Sequence, residues 1–282
     1  MTGSELLILL VPTALAVMLL ALLSLEHLLL LTLFFTPLSL QLSWFTGGTG
    51  FDLSVPTEPI LALLLFITLF KLIVTREFPL KLLKHPITIL VGLYLLWTLV
   101  TSLTSTMPGV SVKTLAYRMW FTAGFYLIAA RLAGSERFSR RYVTAYAAGL
   151  AIVVIFFIIR VEGAGLLNQQ FAHSACYPFY RDHTSFGASM AFLLPPLTVM
   201  LFSNRSSLPA RVLLSFLIIL FLAGFVLSYS RAAWVSLLAA LLLAVILWIR
   251  MPVRLLAVTA AGMMLALVLS AGWIWLKVET TT

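Results

Sequence analysis

AAWVSLLAALLLAVILWI, residues 232–249, and LLAVTAAGMMLALVLSAGWIW, residues 255–275, decide the fold. Each is an unbroken apolar run close to the about 20 residues that a helix needs to cross about 30 Å of hydrocarbon. Hydrocarbon supplies no hydrogen bonds, so a spanning segment must pair its backbone N–H and C=O groups as a helix or a closed barrel. Barrel strands would read as alternating segments of about ten residues, which these runs are not. The rest of the chain follows suit. Hydrophobic residues make up 62% and charged residues 10%, with a mean hydropathy of +1.12, whereas a soluble domain carries about 25% charged residues. The expectation is an all-α, polytopic transmembrane helical bundle.

Working outward, apolar runs between charged or turn-rich breaks place spans at 6–23, 28–42, 59–74, 87–103, 114–132, 142–160, 184–202, 212–229, 232–250 and 255–275, ten in all. Ser24–His27 is a very short break and Pro37 interrupts the second run, so the first two can also form a re-entrant pair or half-helices. Pro195-Pro196 falls within a span, where it frees carbonyls that neighbours must satisfy. Met1–Glu5 lacks a basic region and Pro12 breaks the following run, so no cleavable signal peptide is expected. One cysteine, Cys176, excludes an intrachain disulfide.

The formal charge of +9 is spread over short loops rather than gathered in a run, which favours topology over nucleic-acid binding. Lys71, Arg76, Lys81 and Lys84 share one loop, and Arg131, Arg137, Arg140 and Arg141 another. Arg205 with Arg211, then Arg250 with Arg254, complete an alternating series. These twelve of the eighteen basic residues define a cytoplasmic face. The loop 43–58, carrying only Asp52 and Glu58, falls outside.

Six cations remain on the external side: Lys113, Arg118, Arg160, Arg181, Arg231 and Lys277. They run against the topological bias and need another reason. Snorkelling to headgroups, or pairing with Glu162, Asp182 or Glu279, is one. The other is a cluster that holds phosphate, for which the planar arginine fork is suited. Arg231 lies in the tight break Ser228–Ala232, and Arg118 about one turn inside its span. The external segment Asn168–Gly187, NQQFAHSACYPFYRDHTSFG, is polar and aromatic where other connections are terse. In it Asp182 suits orientation of a histidine tautomer and Arg181 suits an anion. An interfacial aromatic belt with a Thr184 or Ser185 helix cap is the alternative. Two histidines ten residues apart and one cysteine lack the spacing of a zinc motif.

Ser228–Ala240, SYSRAAWVSLLAA, resembles the Ser-x-Ser-Arg-(small)-(small)-aromatic stretch of the O-antigen ligase and polymerase superfamily. Tyr177–Leu197, with RDHTSFGASMAFLLPPL, is similar to that superfamily's preceding external loop and the span after it. The resemblance implies a bacterial inner-membrane protein acting at its periplasmic or external face. It would move a glycan from undecaprenyl pyrophosphate to lipid A core, a protein or a growing chain, without metal or other cofactor. It implies diphosphate binding by Arg181 and Arg231, with Lys113 and Arg118 as helpers and Ser230 and Tyr180 nearby. His183 is then a candidate base, with Asp182 beside it. Family members continue with a large external loop containing a histidine and further helices. On that pattern, 1–282 is one transmembrane domain lacking those later parts.

Two other classes stay open. A transporter or lipid flippase would place charges near the midplane on broken helices, which Pro195-Pro196 fits. An exosortase-like transpeptidase needs Cys, Arg and His, which Cys176, Arg231 and His183 or His173 supply, although SACYP does not resemble that motif. The topology predicts that single cysteines replacing Thr184 and Ser230 label from outside intact cells. Protection of both from a membrane-impermeant thiol reagent contradicts it.

Overall fold

The computed structural model describes residues 24–41, 54–75, 82, 84–132, 134–165, 168–203, 207–249 and 262. Two compact units divide between Arg231 and Ala232. In the first, Ser24 accepts from the backbone N–H of His27 and starts helix α1, Leu25–Phe35. Pro37 then sits in a tight helical turn, Thr36–Leu38. A two-residue antiparallel ribbon follows, β1 (Leu40–Gln41) against β2 (Ser54–Val55), with Leu40 opposite Val55. Helix α2 is Thr57–Thr75 and α3 is Pro86–Leu103, capped by the His85 ring, which accepts from Ile87 N–H. Helix α4, Pro108–Phe121, continues as a π-wound stretch, Thr122–Ile128, and a last turn, Ala129–Leu132. Helices α5 (Glu136–Ala164), α6 (Gln169–Ala175), α7 (His183–Phe202) and α8 (Leu208–Leu227) complete the unit. Helix α9, Arg231–Trp248, carries the leucine- and alanine-rich run of the second.

The chain is an all-α membrane protein: α3, α5, α7 and α8 are each long and apolar enough to cross a bilayer. Apolar surface is turned outward on the scale that hydrocarbon tolerates and water does not. On α3, Trp97 is 68% and Leu103 79% exposed. Eight of the ten expected runs coincide with described helices, whereas those at 6–23 and 255–275 fall outside the described residues except Gly262. The run at 28–42 differs most. Its helix has 11 residues, about 16 Å long at 1.5 Å per residue, well short of the hydrocarbon thickness. Pro37 is the physical cause, because it cannot donate to the preceding turn.

Interior packing joins Leu28, Leu29 and Leu33 of α1 to Ile60, Leu61, Leu64 and Ile67 of α2, with Ile128 and Phe138. Lipid is as apolar as these side chains, so helix association rests on close fit rather than on escape from water. Two glycines show how close. A Cβ on Gly149 of α5 would lie 2.0 Å from the carbonyl oxygen of Phe34, a backbone atom that cannot swing away. A Cβ on Gly224 of α8 would lie 2.7 Å from Val154 Cγ1 and 3.0 Å from Met190 Sδ.

Arginine side chains tie together the ends of these helices on both sides. At one end Arg141 pairs with Glu26 at 3.0 Å, Arg140 bonds Glu136 and the Ser203 hydroxyl, and Arg211 reaches the Ser203 carbonyl. At the other, Arg160 donates to the carbonyls of Ala175 (3.2 Å) and Tyr177 (2.6 Å), and Arg181 donates to the Gln41 side chain. Gly149→Ala should lower unfolding free energy by about 1–3 kcal/mol through overpacking, despite alanine's helix-propensity advantage of about 1 kcal/mol. Thermal unfolding in micelles measures this, and a melting temperature at or above the parent's contradicts the close crossing.

Candidate functional site

The segment Asn168–Gly187 is held by Arg160. Besides its two carbonyl bonds, its guanidinium lies over the rings of Phe156 (5.4 Å) and Phe171 (5.7 Å). One of the six cations expected on the external side therefore has a structural task, closing the carbonyl end of α6. Asn168 caps the start of α6 by accepting from Phe171 N–H at 3.1 Å. The chain then turns through Cys176 and Tyr177-Pro178, a cis peptide, towards α7. Cys176 is fully buried, and burial pushes its thiol up to about 11. A thiol held protonated at neutral pH is a poor nucleophile, which weakens the transpeptidase alternative.

Asp182 caps α7. One carboxylate oxygen accepts from Ser185 N–H at 2.7 Å and the other from the Ser185 hydroxyl at 2.8 Å. The backbone bond is the main cause that holds this carboxyl below its usual value of 3.8. With both oxygens engaged by Ser185, the geometry explains Asp182 as a helix cap. His183, the next residue, stacks flat on His173, with centroids 3.8 Å apart and planes 11° apart. The two rings thus present faces, not converging nitrogens, to each other. Among the described residues no three His, Cys, Asp or Glu side chains group as a metal site would. The Tyr180 hydroxyl bonds the Ser189 and Tyr146 side chains, and burial raises it well above 10. Its ring meets Phe186 edge-on at 5.4 Å, so Tyr180 locks the segment onto α7.

Arg181 points elsewhere. It is exposed at a cavity of about 150 Å³ whose other lining includes Gln41, Ser39, Thr57 and Glu58. Ser39 and Thr57 share a hydroxyl–hydroxyl contact there. Glu58 is 6% exposed. Its Oε1 accepts from Ser54 N–H at 3.1 Å, while Oε2 has no hydrogen-bond partner among the described residues. Glu58 escaped the sequence reading because acids count little in topology and it served only to place a loop outside. Its position immediately before the apolar run 59–74 was the available signal.

The remaining expected residues belong to other elements. Arg118 is the eleventh residue of α4, not one turn in, because the helix starts at Pro108. Its guanidinium donates to Thr98 Oγ1 at 2.7 Å and lies 4.8 Å from the Tyr94 ring, binding α4 to α3. Lys113 is half-buried on the same helix. Ser230 is 2% exposed, with its N–H donated to the Ser228 hydroxyl at 3.4 Å, so labelling there reports burial and sidedness is read at exposed Thr184. Arg231 is exposed at the first position of α9.

No family model, curated protein or solved structure matches the chain.

The capping role of Asp182 gives a measurable contrast. Asp182→Ala should cost about 1 kcal/mol, while Asp182→Ser, which can still accept, should cost only a few tenths. Because the folded carboxyl is depressed, its contribution is complete above the unfolded value of about 3.9 and fades as pH falls through the folded one. Melting temperatures measured between pH 3 and 7 should therefore converge for the parent and Asp182→Ala only at the acid end. Equal stability at pH 7 contradicts the cap.

Proposed function

We propose that this chain belongs to a metal-independent glycosyltransferase of the O-antigen ligase and polymerase type, with about ten spans in a bacterial inner membrane. It transfers a glycan from undecaprenyl pyrophosphate to a hydroxyl acceptor at the periplasmic or external face. One observation carries the reading beyond the resemblance of Ser228–Ala240. The polar cavity at Arg181 shares Thr36 with an apolar groove of about 400 Å³ lined by Leu33, Phe125, Tyr142, Tyr146, Phe192 and Pro196. A polar recess bordering an apolar one at Thr36 suits a ligand with a hydrophilic head and a prenyl tail.

Arg181 and Arg231 would hold the diphosphate. As the glycosyl carbon–oxygen bond breaks, negative charge grows on the departing diphosphate, and preoriented guanidinium groups stabilise it in a water-poor site. His183 would accept the proton of the attacking acceptor hydroxyl. Arg118, already bonded to Thr98 and Tyr94, acts through helix position, which leaves Lys113 as the helper from α4.

A second reading, a transporter or lipid flippase, is favoured by α1 itself, a short helix whose end lines the polar cavity as broken helices do in transporters. Proteoliposomes separate the two: movement of an unaltered lipid-linked substrate favours transport, and covalent transfer favours the enzyme. Arg181→Lys and Arg231→Lys keep the charge but lose the fork. In the full-length protein each should lower glycan transfer at least about tenfold, assayed with a lipid-diphosphate donor at unchanged membrane insertion. Unchanged transfer removes that arginine from the site.

A further inference from the structure

Glu58 gains from the start of α2 and from the Ser54 N–H, but part of its cost stays unreturned. A carboxyl 6% exposed, with one oxygen unpartnered among the described residues, forfeits its hydration without a full replacement. Yet the cavity beside it is roomy, about 150 Å³ against the about 10–15 Å³ that one water centre needs. Its walls are hydroxyls (Ser39, Ser54, Thr57), an amide (Gln41) and the apolar faces of Phe121 and Phe179.

We propose that this cavity is a sugar subsite, in which a turn of the Glu58 side chain brings its buried, unpartnered Oε2 to the cavity wall to accept a hydrogen bond from a hydroxyl of a neutral pyranose. The charges select for neutrality. A phosphate entering the cavity meets the Glu58 carboxylate, and an ammonium meets the Arg181 guanidinium. A sugar meets neither objection. Its hydroxyl rim matches the hydroxyl and amide walls, and its C–H faces match the two rings. Arg181, exposed at the edge and already bonded to Gln41, supplies further donors. The inference rests on the transferase reading for its biological setting and sharpens it: sugar inside the cavity, diphosphate outside it on the arginines.

The test uses the full-length protein in a sugar-free detergent and the methyl glycosides of glucose, galactose, mannose and N-acetylglucosamine. Saturation-transfer NMR should show magnetisation reaching the ring protons of at least one glycoside. Its dissociation constant should rise at least about tenfold in Glu58→Gln, as expected for losing a charge-assisted bond. That variant should melt at or above the parent temperature, because an unmatched buried charge is removed. Inorganic phosphate and methylammonium should fail to displace the glycoside from the parent protein, a measurement that needs no variant. Absence of transfer to every glycoside, equal affinity in a folded Glu58→Gln, or displacement by either ion overturns the assignment. A parent protein that binds a glycoside but moves no glycan from a lipid diphosphate overturns only the transferase reading. One that moves glycan yet shows no saturation transfer overturns only the cavity.

Discussion

The contact on which the first unit depends is the approach of the Phe34 carbonyl to Gly149. Helix α5 has 29 residues, about 44 Å, and Gly149 is its fourteenth. Helix α1 lies along the half of α5 that begins near Arg141, and it ends where the glycine lets its backbone in. Pro37 also comes within 3.0 Å of the position a Cβ would take. At the end of α1 hydroxyls add to the backbone bonds: Thr36 donates both its N–H and its hydroxyl (2.8 Å) to the Thr32 carbonyl, and the Ser39 hydroxyl donates to the Phe35 carbonyl (3.0 Å). The irregular backbone is thereby made compatible with its surroundings, and the space left beyond α1 is the polar cavity.

Much of this was legible in sequence, and what was not has a common cause. Hydropathy sums along one helix, so it locates helices well: the runs at 87–103 and 184–202 match Pro86–Leu103 and His183–Phe202 nearly to the residue. The grouping of cations into alternating loops likewise anticipates Arg141, Arg140 and Arg211 meeting at one end. Neither signal contains the rotation of a helix about its axis or the depth at which two helices cross. Arg118 looked like a shallow cation until α4 began at Pro108 and turned it onto Thr98. Arg160 looked like a snorkelling residue, yet it holds the end of α6. Glu58 had no visible interest until α2 buried it beside Arg181.

The turn Ser228–Arg231 shows the same division. A tight break was readable; its construction was not. Tyr229 adopts a φ of +50°, a left-handed conformation that costs a non-glycine residue on the order of 1 kcal/mol. Ser228 compensates by donating its hydroxyl to the Phe225 carbonyl at 2.7 Å and accepting from Ser230 N–H. Ser228 is thus architecture, and Arg231 is exposed just beyond the turn it builds. Strain of this kind persists where surrounding bonds over-determine it, and such positions concentrate at functional sites.

Arg231 also occupies the helix end where the backbone dipole is positive, an unfavourable place for a cation. A helix start usually carries an acid, as α2 does with Glu58 and α5 with Glu136. The repulsion between a guanidinium and the dipole falls when an anion lies between solvent and both, since the anion is attracted by each. Glu58 poses the inverse case, an acid beside a cavity into which no second negative charge can enter cheaply. On the transferase reading proposed above, the two anomalies would take different parts of one substrate, the diphosphate of a lipid-linked glycan at Arg231 and a neutral sugar hydroxyl at Glu58.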